Sequence, residues 1–281
     1  MLKSPFRFPG GKSKKSIRQR ILKYAPKIYK EARFPFVGGG GIFFAIDPNI
    51  KRWINDIDMD LMSVYIALKE RSQEFIEECK KIEPQKLSEK LTSTKKGGKK
   101  IYNARLKKVF DQFVKDKNMD PALRYYFLNR VVWYGRVNYD LPSRLYYSNP
   151  QGWNIIKKDV LEKAAEFLKN THITIGPYEK LLQQKGDSVF IFADPPYLKN
   201  TNLQRSSQLY KYGFTLEQHK KFAEDVQKCK HKVLITYDDN PLIRQMYPSS
   251  EGFTIIEENW TYCGTSKSKK EKGKELIIIN Y

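Results

Sequence analysis

The chain of 281 residues has only three cysteines and three histidines. Cys79, Cys229 and Cys263 lie far apart with no Cys-x-x-Cys, and His172, His219 and His231 show no metal-ligand spacing. A zinc site and a disulfide framework are therefore not expected, and these groups read as structural or surface side chains of a metal-free protein. Long apolar runs are missing too: none reaches the roughly 20 residues that a spanning helix needs. The opening Met1-Leu2-Lys3-Ser4-Pro5 lacks the apolar core of a signal peptide, so a cytoplasmic protein without a membrane segment is expected. No internal repeat is present.

Acids are scarce relative to bases. Lys and Arg total 52 against 31 Asp and Glu, for a formal charge of +21, and residues 1–33 hold eleven Lys or Arg against the single acid Glu31. Such an excess attracts phosphates through counterion release and points to a polyanionic partner. Charge alone names no partner, because a basic surface also serves solubility.

What is present is an alternation of short strand-like runs with amphipathic stretches in both terminal thirds, the pattern of an α/β fold with a helix-covered parallel sheet. Strands are expected at His172–Gly176, Val189–Ala193, Lys232–Tyr237, Phe253–Ile256 and Glu275–Tyr281. The last two follow each other without a helix and should pair antiparallel across the polar 264–274 loop. Thr215 caps a helix predicted over 215–229. From Lys69 to Pro150 the strand signal fades, and helices are expected over 71–82 and 101–117 around the basic tract 95–100. The expected organisation is an α/β domain of residues 1–68 and 151–281 interrupted by a helical insert, residues 69–150.

The most informative motif is Asp194-Pro195-Pro196-Tyr197, placed directly after the apolar run Val189–Ala193. Two prolines fix φ and remove two N–H donors, leaving a stiff array of acceptors. An exocyclic amine on a base ring is a poor nucleophile because its lone pair spreads into the ring. It sharpens when Asp194 and the Pro195 carbonyl hold its two hydrogens. Tyr197 offers a face for stacking, which suits a base taken out of its duplex. A plain turn with a capping Asp is the alternative reading of Pro-Pro after a strand, but the end of a strand is where open α/β sheets bind ligands.

Pro35-Phe36-Val37-Gly38-Gly39-Gly40-Gly41 reads as a glycine turn between a strand and a helix, and Asp56, ending Arg52-Trp53-Ile54-Asn55, as the acid that takes ribose hydroxyls about twenty residues on. Gly10-Gly11-Lys12-Ser13 superficially matches the end of a phosphate-binding loop, yet Phe6 stands where that loop needs glycine. Lys12 is better read as a cation held near the carboxylate of an amino-acid-like cofactor such as S-adenosylmethionine.

In order, Phe8-Pro9-Gly10-Gly11-Lys12, Phe36-x-Gly38-x-Gly40, Asp56, Phe127-Leu128-Asn129-Arg130, Asp194-Pro195-Pro196-Tyr197, Phe214-Thr215-Leu216-Glu217 and Gly264-Thr265 resemble the Dam-like, D12 class of adenine-specific DNA methyltransferases. The resemblance spans nearly the whole chain, and its motif order matches the α group. It implies a Rossmann-like methyltransferase sheet, S-adenosylmethionine bound by Phe8, Gly10, Gly11, Lys12, Phe36, Gly38, Gly40, Asp56 and Asp194, and N6-methyladenine in duplex DNA as product. A cognate restriction enzyme is a candidate partner. Gly176-Pro177-Tyr178 departs from the Gly-Asp-Phe or Gly-Asp-Tyr that members often carry. Asn138 stands where GATC-reading enzymes place an arginine, so GATC specificity does not carry over. Arg7, Arg130, Trp133, Tyr134, Arg136, Asn138 and Arg144 are the expected DNA contacts, since Arg suits guanine, Asn suits adenine and aromatics fill the gap of a flipped base. An RNA adenine methyltransferase and a catalytically silent DNA-binding protein of the same fold are the rival readings.

Overall fold

The structure is a computed structural model that describes residues 1–8, 10–82, 107–132, 135–137, 158–198, 212–260 and 273–281. In chain order its elements are helix α1 (Lys15–Leu22), strand β1 (Glu31–Phe34), a 3₁₀ turn (Phe43–Ala45), β2 (Lys51–Asp56), α2 (Met59–Glu70), α3 (Ser72–Lys81), α4 (Pro121–Val131), α5 (Lys158–Leu168), β3 (Thr171–Ile175), α6 (Glu179–Gln183), β4 (Val189–Ala193), α7 (Leu216–Gln227), β5 (Lys232–Asp238), α8 (Pro241–Met246), β6 (Thr254–Trp260) and β7 (Gly273–Ile279). Residues 107–115 are also helical. Two compact units result, one of Gly10–Asp58 and Asn170–Tyr281 with Met1, the other of Leu2–Pro9 and Met59–Lys169.

The first unit holds all seven strands in one sheet, ordered β3-β2-β1-β4-β5-β7-β6. Neighbours from β3 through β5 pair in parallel, whereas β7 pairs antiparallel with both β5 and β6. This is a mixed α/β, Rossmann-like arrangement, with the strand order reversing between β1 and β4. All five residues of β4 are buried, as a central parallel strand covered on both faces requires. The last two strands pair antiparallel, as expected from the sequence. Helix α7 starts in a capping box: Gln218 N donates to Thr215 Oγ1 (3.2 Å) and Thr215 N to Gln218 Oε1 (2.8 Å). It buries His219, Phe222, Ala223 and Val226, one stripe at helical spacing.

Part of the basic amino-terminal excess turns inward. Arg33 in β1 is 1% exposed and donates to Glu31, to Leu181 O, Gln184 O and Lys185 O; it ties β1 to the chain around α6. Lys12 and Arg18 are buried too, so the formal charge overstates the cations available to a polyanion. The glycine turn after β1 opens into a 3₁₀ turn in place of the expected longer helix, because Ile42, Phe43 and Phe44 are all buried and leave no polar face for an amphipathic helix.

In the second unit α2 buries Leu61, Met62, Val64, Tyr65, Ala67 and Leu68 and packs against α3, α4 and α5. Asp120 caps α4 by accepting from Leu123 N (2.8 Å), with Pro121 in the first turn.

Candidate active site

Strands β1 and β4 lie side by side, Glu31 opposite Val189 and Arg33 opposite Ile191, so the loops leaving their carboxyl ends emerge together where the strand order reverses. Such a switch point is where open α/β sheets bind ligands. One loop is the glycine turn, the other is Asp194-Pro195-Pro196-Tyr197.

Asp194 is fixed by two donors on a single oxygen. Lys12 Nζ (2.7 Å) and Thr236 Oγ1 (2.7 Å) both reach Oδ1. Two bonds on one oxygen set the rotation of the carboxylate and direct Oδ2, which receives neither. Pro195 is buried and Pro196 half-buried behind it. The ammonium of Lys12 also donates to the Tyr197 hydroxyl (2.7 Å), with Gly10 O at 3.5 Å, and Lys12 is 3% exposed. Gly41 makes this approach feasible: a Cβ there would sit 2.9 Å from the Lys12 carbonyl carbon. Lys12, expected against a cofactor carboxylate, is thus directed at Asp194 and Tyr197.

Tyr197 donates in turn to Glu275 Oε2 (2.6 Å) on β7, and its ring lies 5.8 Å from that of Tyr237. Burial pushes the Glu275 carboxyl up to about 8; Lys12 and the Tyr197 hydroxyl pull it down, while Asp194 and Asp238 add to the rise.

On the glycine side, Gly38 and Gly40 take φ of 46° and 67° and turn the chain back across the end of β2. Asp56 accepts from Gly38 N (2.9 Å) and Asp58 N (3.1 Å); burial pushes its carboxyl above the ordinary value, against the pull of these N–H groups. Asn55 Nδ2 donates to Pro35 O (3.2 Å) and Gly176 O (2.8 Å), tying the loops after β1 and β3. Phe36 packs into an aromatic group with Tyr178, Phe214 and Phe222 at centroid distances of 5.5–5.6 Å. Pro177 is exposed, and Tyr178 OH donates to Asp225 (2.8 Å).

Arg7 and Phe8 fall in the second unit. There the buried Asn129 clasps the main chain of Arg7, accepting from Arg7 N (3.0 Å) and donating to Arg7 O (2.7 Å) and Gly135 O (3.1 Å). Arg7 Nη1 donates to Arg130 O (2.5 Å). Burial lowers the pKa of both guanidiniums, and Arg130 lowers that of Arg7 further by like charge. Among the described residues neither is paired with a carboxylate. Phe8 and Arg136 are half-buried. Pro9, Trp133, Tyr134, Asn138, Arg144, Cys263, the 95–100 tract and Gly264-Thr265 lie outside the described residues. Among the described residues no cluster of His, Cys, Asp or Glu is placed to hold a metal ion, and no helix is long and apolar enough to cross a membrane.

Sequence reasoning missed Thr236, Asn55 and Glu275 as site residues. The available signal was a polar side chain within a buried strand, most plainly Glu275 ahead of Leu276-Ile277-Ile278.

The sheet and its proline corner define a Rossmann-like methyltransferase. A profile of the D12 class N6 adenine-specific DNA methyltransferases matches residues 8–263, and the chain belongs to that family. It is 27% identical to the Type II methyltransferase M1.LlaDCHI of Lactococcus lactis subsp. cremoris over 99% of this chain and 95% of that protein. It is 28% identical to the Type II methyltransferase M.MjaIII of Methanocaldococcus jannaschii over 99% of each. It is also 26% identical to the DNA adenine methylase of Escherichia coli, over 87% and 84% respectively. The chain is an adenine-specific DNA methyltransferase, a transferase that requires a methyl donor.

Proposed function

We propose that the donor is S-adenosylmethionine and that the acceptor is the N6 amine of an adenine extruded from duplex DNA. The carrying observation is the Asp194 carboxylate, locked through Oδ1 by Lys12 and Thr236 beside a proline pair that contributes carbonyls and no N–H donors. Asp194 Oδ2 and Pro195 O accept the two N6 hydrogens, returning lone-pair density to nitrogen and aiming it. Tyr197 stacks on the base. Lys12 acts through Asp194 and Tyr197.

The residues fit this donor. Asp56 carries an acceptor for ribose hydroxyls beside the Gly38–Gly40 turn, and Phe36 adds an aromatic edge. When bound, the donor supplies an electrophilic methyl group on a sulfonium. The proton released from N6 passes to water, so no side chain need act as a permanent base.

We further assign methyl transfer to residues 1–68 and 151–281 and target recognition to residues 69–150, which fall inside the second compact unit. Arg7 and Arg130, guanidiniums with no carboxylate partner among the described residues, serve phosphates or guanine there, with Arg136 close to Arg130 in sequence. Two relatives named as Type II methyltransferases support a partnership with a restriction enzyme, and a DNA substrate accords with a cytoplasmic protein.

Incubating the protein with tritiated S-adenosylmethionine and unmethylated plasmid, then sequencing the modified bases, tests the reading. N6-methyladenine in one sequence context is expected. Transfer to single-stranded RNA with none to duplex DNA would overturn it, and absence of transfer to either would leave only a DNA-binding role.

A further inference from the structure

We propose that Glu275 is a positioning residue for methyl transfer: from β7 it holds the Tyr197 hydroxyl, and so fixes the ring face offered to the base and, through Lys12, the direction of Asp194. The inference rests on the reading of Tyr197 as the base platform.

Three observations carry it. First, Glu275 is 1% exposed and its Oε2 accepts the Tyr197 hydroxyl at 2.6 Å. Glutamate is almost never fully buried without a partner, and replacing a buried hydrogen-bonded pair by apolar groups of the same shape can be nearly neutral for stability. Folding alone does not ask for an acid at this register, between Asp238 on β5 and Glu258 on β6. Glu258 already answers to Lys23 and Tyr24.

Second, Tyr197 is held at its polar tip from two sides. Its hydroxyl donates to Glu275 and accepts from Lys12 at 2.7 Å. A phenol tied at both a donor and an acceptor cannot swing about its side-chain torsions without breaking one bond, so the pitch of the ring is set. Without Glu275 the hydroxyl loses this acceptor and leans on an ammonium that is shared with Asp194.

Third, the groups form one chain across three strand ends: Thr236 on β5 and Lys12 on Asp194 after β4, Lys12 on Tyr197, Tyr197 on Glu275 of β7. The Lys12 ammonium also lies 4.9 Å from the centroid of the Tyr197 ring. Displacing either end of this chain moves the cation that orients Asp194, which couples the stacking platform to the amine acceptor.

The test is steady-state and single-turnover methylation of unmethylated plasmid with tritiated S-adenosylmethionine, alongside calorimetric donor binding and thermal melts. For Glu275→Leu, loss of a hydrogen bond in a charged network should lower kcat roughly 10- to 100-fold. Donor affinity should hold, and the melting temperature should not fall. Glu275→Gln, whose amide oxygen still accepts the phenol, should restore the rate to within about threefold, less than the loss of one neutral hydrogen bond. Tyr197→Phe combined with Glu275→Leu should cost no more than the worse single change, because both cut the same bond. Wild-type turnover by Glu275→Leu, or multiplicative losses in the double variant, would overturn the proposal. If Glu275→Leu does not fold, wild-type turnover by Tyr197→Phe overturns it, and a slowed Tyr197→Phe with an active Glu275→Gln supports it. An inactive wild type would instead indict the functional reading.

Discussion

The Asp194 corner and the Asn129 clasp are tied in opposite ways. At the Asp194 corner, side chains bind side chains: Lys12 and Thr236 donate to Asp194, Lys12 to Tyr197, and Tyr197 to Glu275. In the second unit Asn129 spends its amide on main chain, gripping Arg7 and Gly135, and among the described residues the guanidiniums of Arg7 and Arg130 have no carboxylate partner. The difference matches the demands. Moving a methyl group needs acceptors preorganised to a fraction of an ångström, whereas phosphates are met by cations whose charge is not already neutralised.

The contrast breaks most visibly at Asp194. Asp194→Ala should cut methyl transfer to plasmid by about 10³-fold or more while the far-ultraviolet circular dichroism is kept, since it removes the preorganised acceptor. Asn129→Ala removes three main-chain bonds from a buried site and should destabilise the protein by about 2–3 kcal/mol in urea titration, with donor affinity unchanged. A pH series sharpens the corner. Glu275 keeps its proton up to about 8 against an ordinary value near 4.5. Between those values the folded protein holds a proton that the unfolded chain has released, so this group's contribution to stability falls as pH rises through the window. Glu275→Gln should therefore melt progressively higher than wild type as pH goes from 6 to 9. Lys12, Tyr197, Asp194, Asp238 and Glu258 surround the group, and none of them is altered by that substitution. The smallest effect belongs to the reading side: Arg130→Ala should lower DNA affinity by roughly 1 kcal/mol and reduce the slope of log affinity against log salt by about one.

Much of the first unit is legible from pattern. Val189–Ala193 reads as a buried parallel strand because it is apolar on both faces, and the final antiparallel pair follows from two strand signals in succession with no helix signal in the sequence between them. Thr215 is legible as a cap because capping is local. The partners of Lys12 are not, since Asp194, 182 residues on, meets it only when β1 and β4 pair and Gly41 lets the amino-terminal segment in. Glu275 escapes for the same reason: its meaning depends on β7 inserting between β5 and β6. Arg33 misleads for the converse reason, as a charge that composition assigns to the surface and that tertiary packing buries against carbonyls.

The residues alone therefore determine the class of chemistry, because two prolines, an acid and an aromatic in succession restrict their own backbone and need no distant help to form a rigid set of acceptors. Which group orients that acid is decided only in three dimensions. A hydrogen bond is a property of two atoms brought within 3 Å, and here the sheet order, through β4, β5 and β7, is what brings Thr236, Lys12, Tyr197 and Glu275 to the same corner.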